Sequence, residues 1–332
     1  MDLHAAEQRM KEWAAANSSS LGLKGADTKA EYIWNPGGFV NQSYRISDGE
    51  TIRHVKLSTE ENASSLKQWT LISEYLSHQY HAPRLVGEVA QEILPGYPYG
   101  LVFEYIKGEP LSSISNPDLV VEKLLNVLKR LHSDAEIRHR IAGKAKGRSY
   151  ADAFIEEYVA RFEEDMQVIR AKRHLLDFVT DSSLDWFDHE VESLRRMASR
   201  NAAFQKQAQD VVHNDLNWQN VLIEDSGHFW IIDWDNLVID GDAAMDYSVL
   251  LWPMVRSPKW PWWKERVVGL AGEELLERME LYFRAKLLDD VIDILADYVE
   301  AESIPEVKEK TQRRAKEIHL RAYPEYVRFY AK

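Results

Sequence analysis

"VVHNDLNWQNVLIEDSGHFWIIDWDN" (Val211–Asn236) sets acidic and amide residues at fixed intervals between apolar runs. "VV", "VLI" and "FWII" read as short buried strands, the last two joined by the turn "EDSGH". Asp215 and Asn220 then share one loop, and Asp233 ends the second strand of a hairpin. Packing alone asks for no such arrangement. It is either a hydrated turn with incidental acids or a set of groups converging on a metal and a nucleophile. One carboxylate and one amide oxygen form a hard-oxygen pair suited to Mg²⁺, which takes its other ligands from water and phosphates. A second carboxylate, held off the metal, can orient a hydroxyl and accept its proton. Phosphoryl transfer needs those parts, because its loose transition state calls for positioning and charge neutralisation.

The bulk properties narrow the classes. A chain of 332 residues is long for one small core, so two domains are expected. With 45% hydrophobic and 29% charged residues it is an ordinary globular chain, not a disordered one. It has no cysteine, which excludes disulfides, thiolate metal sites and cysteine nucleophiles and suits a cytoplasmic location. The N-terminal "MDLHAAEQRMKEWAAANSSS" lacks the apolar centre of a signal peptide, and no run reaches the ~20 apolar residues of a membrane span. The net charge of −13 argues against a nucleic-acid partner and suits a cationic small molecule.

Outward from the opening segment, the pattern separates a strand-rich first part from a helical remainder. A helix and turn occupy the first ~30 residues, and strand–loop–strand follows from Tyr32 to Ile46, punctuated by "NPGG". "TIRHVKLS" (Thr51–Ser58) alternates as a strand, and Asn62–Tyr80 has helical spacing. "PRLVGEVAQEIL" and "YGLVFEYI" read as two more strands before the break "KGEP" (Lys107–Pro110). Amphipathic Leu119–Ser133 then opens a run of helices, with long stretches at Tyr150–Arg173 and Ser182–Ala208. Two acid-rich segments, Glu156–Asp165 and Leu287–Glu302, read as solvated helix faces or as a lining for a polycation. Trp252, Trp260, Trp262 and Trp263 could box a quaternary ammonium. Packing is the favoured reading for at least two of them.

A bare His-x-Asp-x4-Asn arises by chance in roughly a few per cent of chains this long, and the strand context with a following Asp makes chance a poorer account. The segment resembles the catalytic and metal-binding loops of the aminoglycoside phosphotransferase and choline kinase superfamily, which shares the protein-kinase-like fold. The pattern stands as His213-Asn214-Asp215, "LNWQ", Asn220, then "IIDWD" with Asp233. Asn214 takes the place of the family's usual glycine. "GDAAMDY" (Gly241–Tyr247) is a looser match to the family's "GDPxxDL". Upstream, "NPGGFVNQSYRI" is similar to the family's phosphate loop, with Gly37, Gly38, Asn41 and Tyr44 in place. The resemblance covers roughly residues 30–255.

The resemblance implies a bilobal α+β fold, with a small antiparallel-sheet nucleotide-binding lobe over residues 1–106 and a larger helical catalytic and acceptor lobe over 107–332. It makes Asp215 the catalytic base or hydroxyl positioner and Asn220 and Asp233 the Mg²⁺ ligands. His213 and Asp246 brace the loop. Lys56 becomes the ligand of the nucleotide phosphates. Counting back from Pro83 puts the family's partner glutamate nearer Gln68, and Glu60 and Glu61 lie close in sequence to Lys56; Glu74 on the following helix is the chosen partner. Backbone groups at Glu104, Tyr105 and Ile106 would hold the base of ATP, or equally of GTP. Asp235 receives no metal-ligand role. The implied activity is transfer of a γ-phosphate to a hydroxyl of an amino-bearing or sugar-like small molecule. A metabolic kinase of the choline, ethanolamine, homoserine or sugar type stays open, as does a non-catalytic, spore-coat-like relative.

Overall fold

The computed structural model describes residues 2–24, 27–34 and 41–330. Five strands come first: β1 (Lys29–Ile33), β2 (Asn41–Ser47), β3 (Ile52–Ser58), β4 (Leu85–Val89) and β5 (Tyr99–Glu104). Short strands follow: β6 (Glu109–Pro110), β7 (Asp210–Val212), β8 (Val221–Ile223), β9 (Phe229–Ile231) and β10 (Val238–Gly241). The first four α-helices are α1 (Leu3–Ala16), α2 (Ser18–Leu21), α3 (Ala63–Gln79) and α4 (Asp118–His132). The chain divides into two compact units, Met1–Pro117 with Trp218–Asn236, and Asp118–Asn217 with Leu237–Lys332.

This division departs from a boundary at 106/107, and strand pairing is the reason. β6 pairs antiparallel with β8, Glu109 opposite Ile223 and Pro110 opposite Leu222, and β8 pairs with β9. The hairpin of the opening segment is thereby drawn into the first unit. Gly108 permits the approach, since a Cβ there would lie 3.0 Å from the Ile223 carbonyl oxygen.

In the first unit, five strands form an antiparallel sheet in the order β1-β2-β3-β5-β4. Alternation along β2 and β3 turns Tyr44, Ile46, Val55 and Leu57 onto one face, where they meet Met10, Ala14 and Leu21 of α1 and α2. His54 and Lys56 therefore point to the other face. There α3 packs, its Trp69 ring 4.4 Å from that of Phe103 on β5. The helical phase of α3 buries Leu66, Trp69, Ile72, Ser73 and Leu76 and leaves Glu74 exposed.

The second unit is mostly helical. Val121, Leu124, Leu125, Leu128 and Leu131 form the buried stripe of α4, which packs against β7 and the wholly buried helix Ala243–Leu251. β7 pairs antiparallel with β10. The expected helix from Tyr150 runs to Ala171 but widens into a π-helical turn at Ile155–Ala160. The stretch expected to reach Ala208 ends at Arg200, because Asn201 adopts extended backbone and caps a short 3₁₀ turn. Among the described residues, no helix is long and apolar enough to cross a membrane.

Candidate active site

Lys56 is the centre of the first unit's polar cluster. It is nearly buried, and its Nζ donates to Asp233 and to both carboxylate oxygens of Asp235, at 2.9 and 2.8 Å. Burial works against its charge, but Asp233 and Asp235 more than offset that and hold its pKa above the ordinary lysine value. Asn41 at the start of β2 donates its amide to Asp235 Oδ2 at 3.1 Å. His54, on the same face of β3, makes a 3.1 Å contact with Ser43 Oγ. Burial, and then the Lys56 charge, lower its pKa to about 4, so this imidazole stays neutral at physiological pH.

The lysine's partners differ from the one expected. Glu74 is exposed on α3 and makes no ion pair with Lys56; the carboxylates are Asp233 and Asp235. Asp235 had no assigned role because it lies past the end of β9. The 3₁₀ turn Trp234–Asn236 brings it back, anchored by buried Trp234, whose indole N–H donates to the Ile231 carbonyl at 2.7 Å. The spacing Asp-x-Asp after an apolar strand was the available signal.

Asn220 and Asp233 leave the β8–β9 pair at neighbouring positions, because the Ile232 N–H donates to the Asn220 carbonyl at 2.9 Å. Asp233 is in the left-handed region, φ 67°, which turns its side chain out of the strand path. Its carboxylate already faces a cation, Lys56, and keeps 31% side-chain exposure. These donors fit an octahedral, oxygen-seeking ion such as Mg²⁺ that draws its remaining ligands from water and phosphate. Among the described residues no group of three or more His, Cys, Asp or Glu forms a closed metal site. Gly37 and Gly38 lie outside the described residues. At the expected base-binding stretch, the Glu104 N–H is taken by the Arg84 carbonyl at 3.0 Å, and Tyr105 and Ile106 continue beyond the end of β5.

The loop carrying Asp215 belongs to the second unit. Asp246 organises it: its carboxylate, fully buried, accepts the backbone N–H of His213 at 3.0 Å and of Asn214 at 2.8 Å. His132 Nε2 is 3.0 Å from the same carboxylate. Asn214 has φ 71°, a conformation that asparagine tolerates better than most non-glycine residues, which explains how it stands where the family has glycine. Its side chain donates to Glu157 at 2.7 Å. The Asp215 N–H donates to His213 Nδ1 at 3.3 Å, which assigns that ring's proton to Nε2. Asn217 donates to the Asp215 carboxylate at 2.8 Å.

The looser "GDAAMDY" match keeps the physical parts of its pattern. Asp242 caps the helix Ala243–Leu251 through the Ala244 N–H (2.9 Å) and pairs with buried Arg278 (2.9 Å). One turn later the helix delivers Asp246. Gly241 lets β10 close on β7, since a Cβ there would come within 2.2 Å of Val212 Cγ2 and 2.9 Å of Val238 Cγ2. Gly241→Ala is therefore expected to cost about 1–3 kcal/mol, read as a lower thermal midpoint. Adding Val212→Ala should recover part of that loss; no recovery would reject the steric account.

The acid-rich segments are solvated only in part: Glu156, Glu163, Glu164, Glu300 and Glu302 are exposed, whereas Asp289 and Asp297 are buried. Helix Arg161–Ala171 packs on helix Asp293–Glu300. Asp289 is held by Arg161 and Lys286, and Asp289 and Asp297 are each 8% exposed. Burial, then Asp293, pushes the pKa of Asp165 and of Asp297 up to about 8. Burial also raises Glu157, to about 7; Arg161 opposes the shift and Asp215 adds to it. The tryptophans form no open box. Trp263 is fully buried, Trp252 and Trp260 lie against Phe283, and only Trp262 is exposed, at 44%.

An antiparallel sheet with a buried lysine on its inner strand, followed by a helical unit bearing His-x-Asp, has the protein-kinase-like α+β fold. The sequence model of the phosphotransferase enzyme family matches residues 34–282, and the chain belongs to that family. The structure is similar to the GDP complex of wild-type aminoglycoside 2'-phosphotransferase-IIIa (11% identity, 96% of this chain and 99% of that one, TM-score 0.61). It is also similar to choline kinase LicA from Streptococcus pneumoniae (18% identity, 94% and 99%, TM-score 0.57). Plasmodium vivax ethanolamine kinase aligns as well (12% identity, 94% and 86%, TM-score 0.57). Family membership supports a phosphotransferase that acts on a small molecule.

Proposed function

We propose that this protein is a small-molecule kinase that transfers the γ-phosphate of ATP or GTP to a hydroxyl of an amino-bearing acceptor. The observation that carries the reading is the Lys56–Asp233 pair beside Asn220: a buried cation next to a half-buried hard-oxygen acid at one end of a hairpin. In this reading Lys56 holds the nucleotide phosphates, Gly37, Gly38 and Asn41 contribute to binding them, and the backbone of Tyr105 and Ile106 meets the base. Asn220 and Asp233 hold Mg²⁺, which when bound neutralises charge on the phosphate oxygens. Asp215 orients the acceptor hydroxyl and takes its proton, and Asn217 and the His213 ring hold Asp215 in place. Nucleotide complexes and aminoglycoside, choline and ethanolamine names among the similar structures support both halves of this reading.

Charge favours an amino group on the acceptor. Glu157, hydrogen-bonded to Asn214 and sensing the Asp215 charge, is an acid on the acceptor side of the loop. It is mostly neutral below pH 7 and charged above it. Affinity for a cationic acceptor should rise between pH 6 and 8, seen as a falling KM, and Glu157→Gln should flatten that profile. Stability has the opposite sign. The folded pKa lies above the ordinary value of 4.5, so the unfolded chain releases its proton first and folding weakens as pH rises from about 4.5 to about 7, then levels off. Thermal midpoints of Glu157→Gln should accordingly depend less on pH than those of the parent.

The direct test is a phosphate-transfer screen over hydroxyl-bearing amines and sugars, read against nucleotide alone, with thermal shift in Mg·ATP and Mg·GTP. Turnover with an amine-bearing acceptor is the expected result. Absence of nucleotide stabilisation together with absence of turnover would sink the enzyme reading and leave a non-catalytic relative.

A further inference from the structure

The acid that holds the phosphate lysine comes from an unexpected place. α3 carries a single acid, Glu74, and the helix turns it to solvent. Glu60 and Glu61, just before α3, are exposed as well. Asp235 instead contacts the Lys56 ammonium with both oxygens, at 2.9 and 2.8 Å, and is tied to Asn41 at 3.1 Å. The two acids at the ammonium differ in access: the side chain of Asp235 is 10% exposed and that of Asp233 is 31% exposed.

We propose that Asp235 is the positioning residue for Lys56, taking the place of a helix glutamate and aiming the ammonium at the nucleotide phosphates. This rests on the kinase reading of the same site. A cation held at Asp233, the more accessible of the two acids, would compete with Lys56 for that carboxylate. Asp235, less accessible and held by the turn anchored at Trp234, would keep its grip on the lysine. Lysine placement and the proposed metal acid then sit two residues apart, Asp235 on the 3₁₀ turn and Asp233 just before it, and α3 has no part in holding the ammonium. The bond from Asn41 links the same turn to the start of β2, immediately after the glycine-containing segment.

The test is calorimetric binding of the Mg²⁺ complexes of the β,γ-imido analogues of ATP and GTP, and of the parent nucleosides, to the full chain. Asp235→Asn is expected to weaken binding of the preferred triphosphate about 10-fold or more while leaving its nucleoside unchanged, because only the phosphates lose a partner. Glu74→Gln should stay within about twofold of wild type. In a Lys56→Met background, Asp235→Asn should cause no further loss, since the two residues act as one unit. Wild-type affinity in Asp235→Asn would overturn the proposal, as would equal loss of nucleoside binding or a Glu74→Gln effect of the same size. Asp235→Ser repeats the test should the asparagine variant not fold. If neither folds, the residue is structural and the proposal fails. Triphosphate binding by wild type that Asp235→Asn leaves intact removes this inference alone, whereas no binding by wild type removes the kinase reading with it.

Discussion

Asp215→Ala is expected to lower turnover by about 10²–10⁴-fold while nucleotide affinity stays within about threefold. The expectation follows from the local construction. Asp215 is hydrogen-bonded within its own loop, its N–H to His213 Nδ1 and its carboxylate to the Asn217 amide. The charged groups proposed to meet the nucleotide phosphates, Lys56 and Asp233, hold each other without it. Removing Asp215 would therefore remove the proposed hydroxyl-orienting acid and little of the proposed nucleotide site. Steady-state kinetics with the best acceptor from the screen, paired with nucleotide titration, separates the two effects. A variant with wild-type turnover would show that Asp215 is not the base, and one that loses nucleotide binding would assign it a different role.

Asp246→Ala should produce the largest loss of stability. Its carboxylate has no solvent access and satisfies two backbone N–H groups and His132. Truncation leaves those donors buried without an acceptor, at about 3–5 kcal/mol in total. For a unit of this size that is a fall in thermal midpoint on the order of 10 °C. Asp246→Asn should lie between the two, because the amide can accept from one N–H but presents its own N–H to another. Turnover should fall in both, since the loop that holds Asp215 loses its brace. An alanine variant that melts with the parent would mean the loop is held by something other than this carboxylate.

The opening segment carried much of the site. His213-Asn214-Asp215, Asn220 and Asp233 stand in a spacing that pointed to the family, and the family match bears that out. The strand carrying Lys56 and the first strand-rich part were equally legible, because alternation with period two and the breaks at glycine and proline are local properties. The partner of Lys56 was not. Glu74 was the acid closest to hand on the right element, but helical phase decides exposure, and Trp69, Ile72 and Leu76 claim the buried side. The acid-rich segments were legible only in part, since Glu156, Glu163 and Glu164 do face solvent while Asp289 and Asp297 do not. A run of acids reads as a solvated face until a second helix is known to pack against it.

What the sequence determined by itself was chemistry at short range: which residue types stand at which spacing, where strands alternate and where the chain must turn. Tertiary structure alone decided which of those residues meet. Lys56 and Asp235 are separated by 179 positions, and only sheet register with a 3₁₀ turn brings them within 2.8 Å. Gly241 and Asp246 likewise acquire their meaning from Val212 and from the loop at His213. The physical reason is the same throughout. Backbone preference and side-chain alternation act over a few residues, whereas burial and charge pairing act between elements that the chain order does not make neighbours.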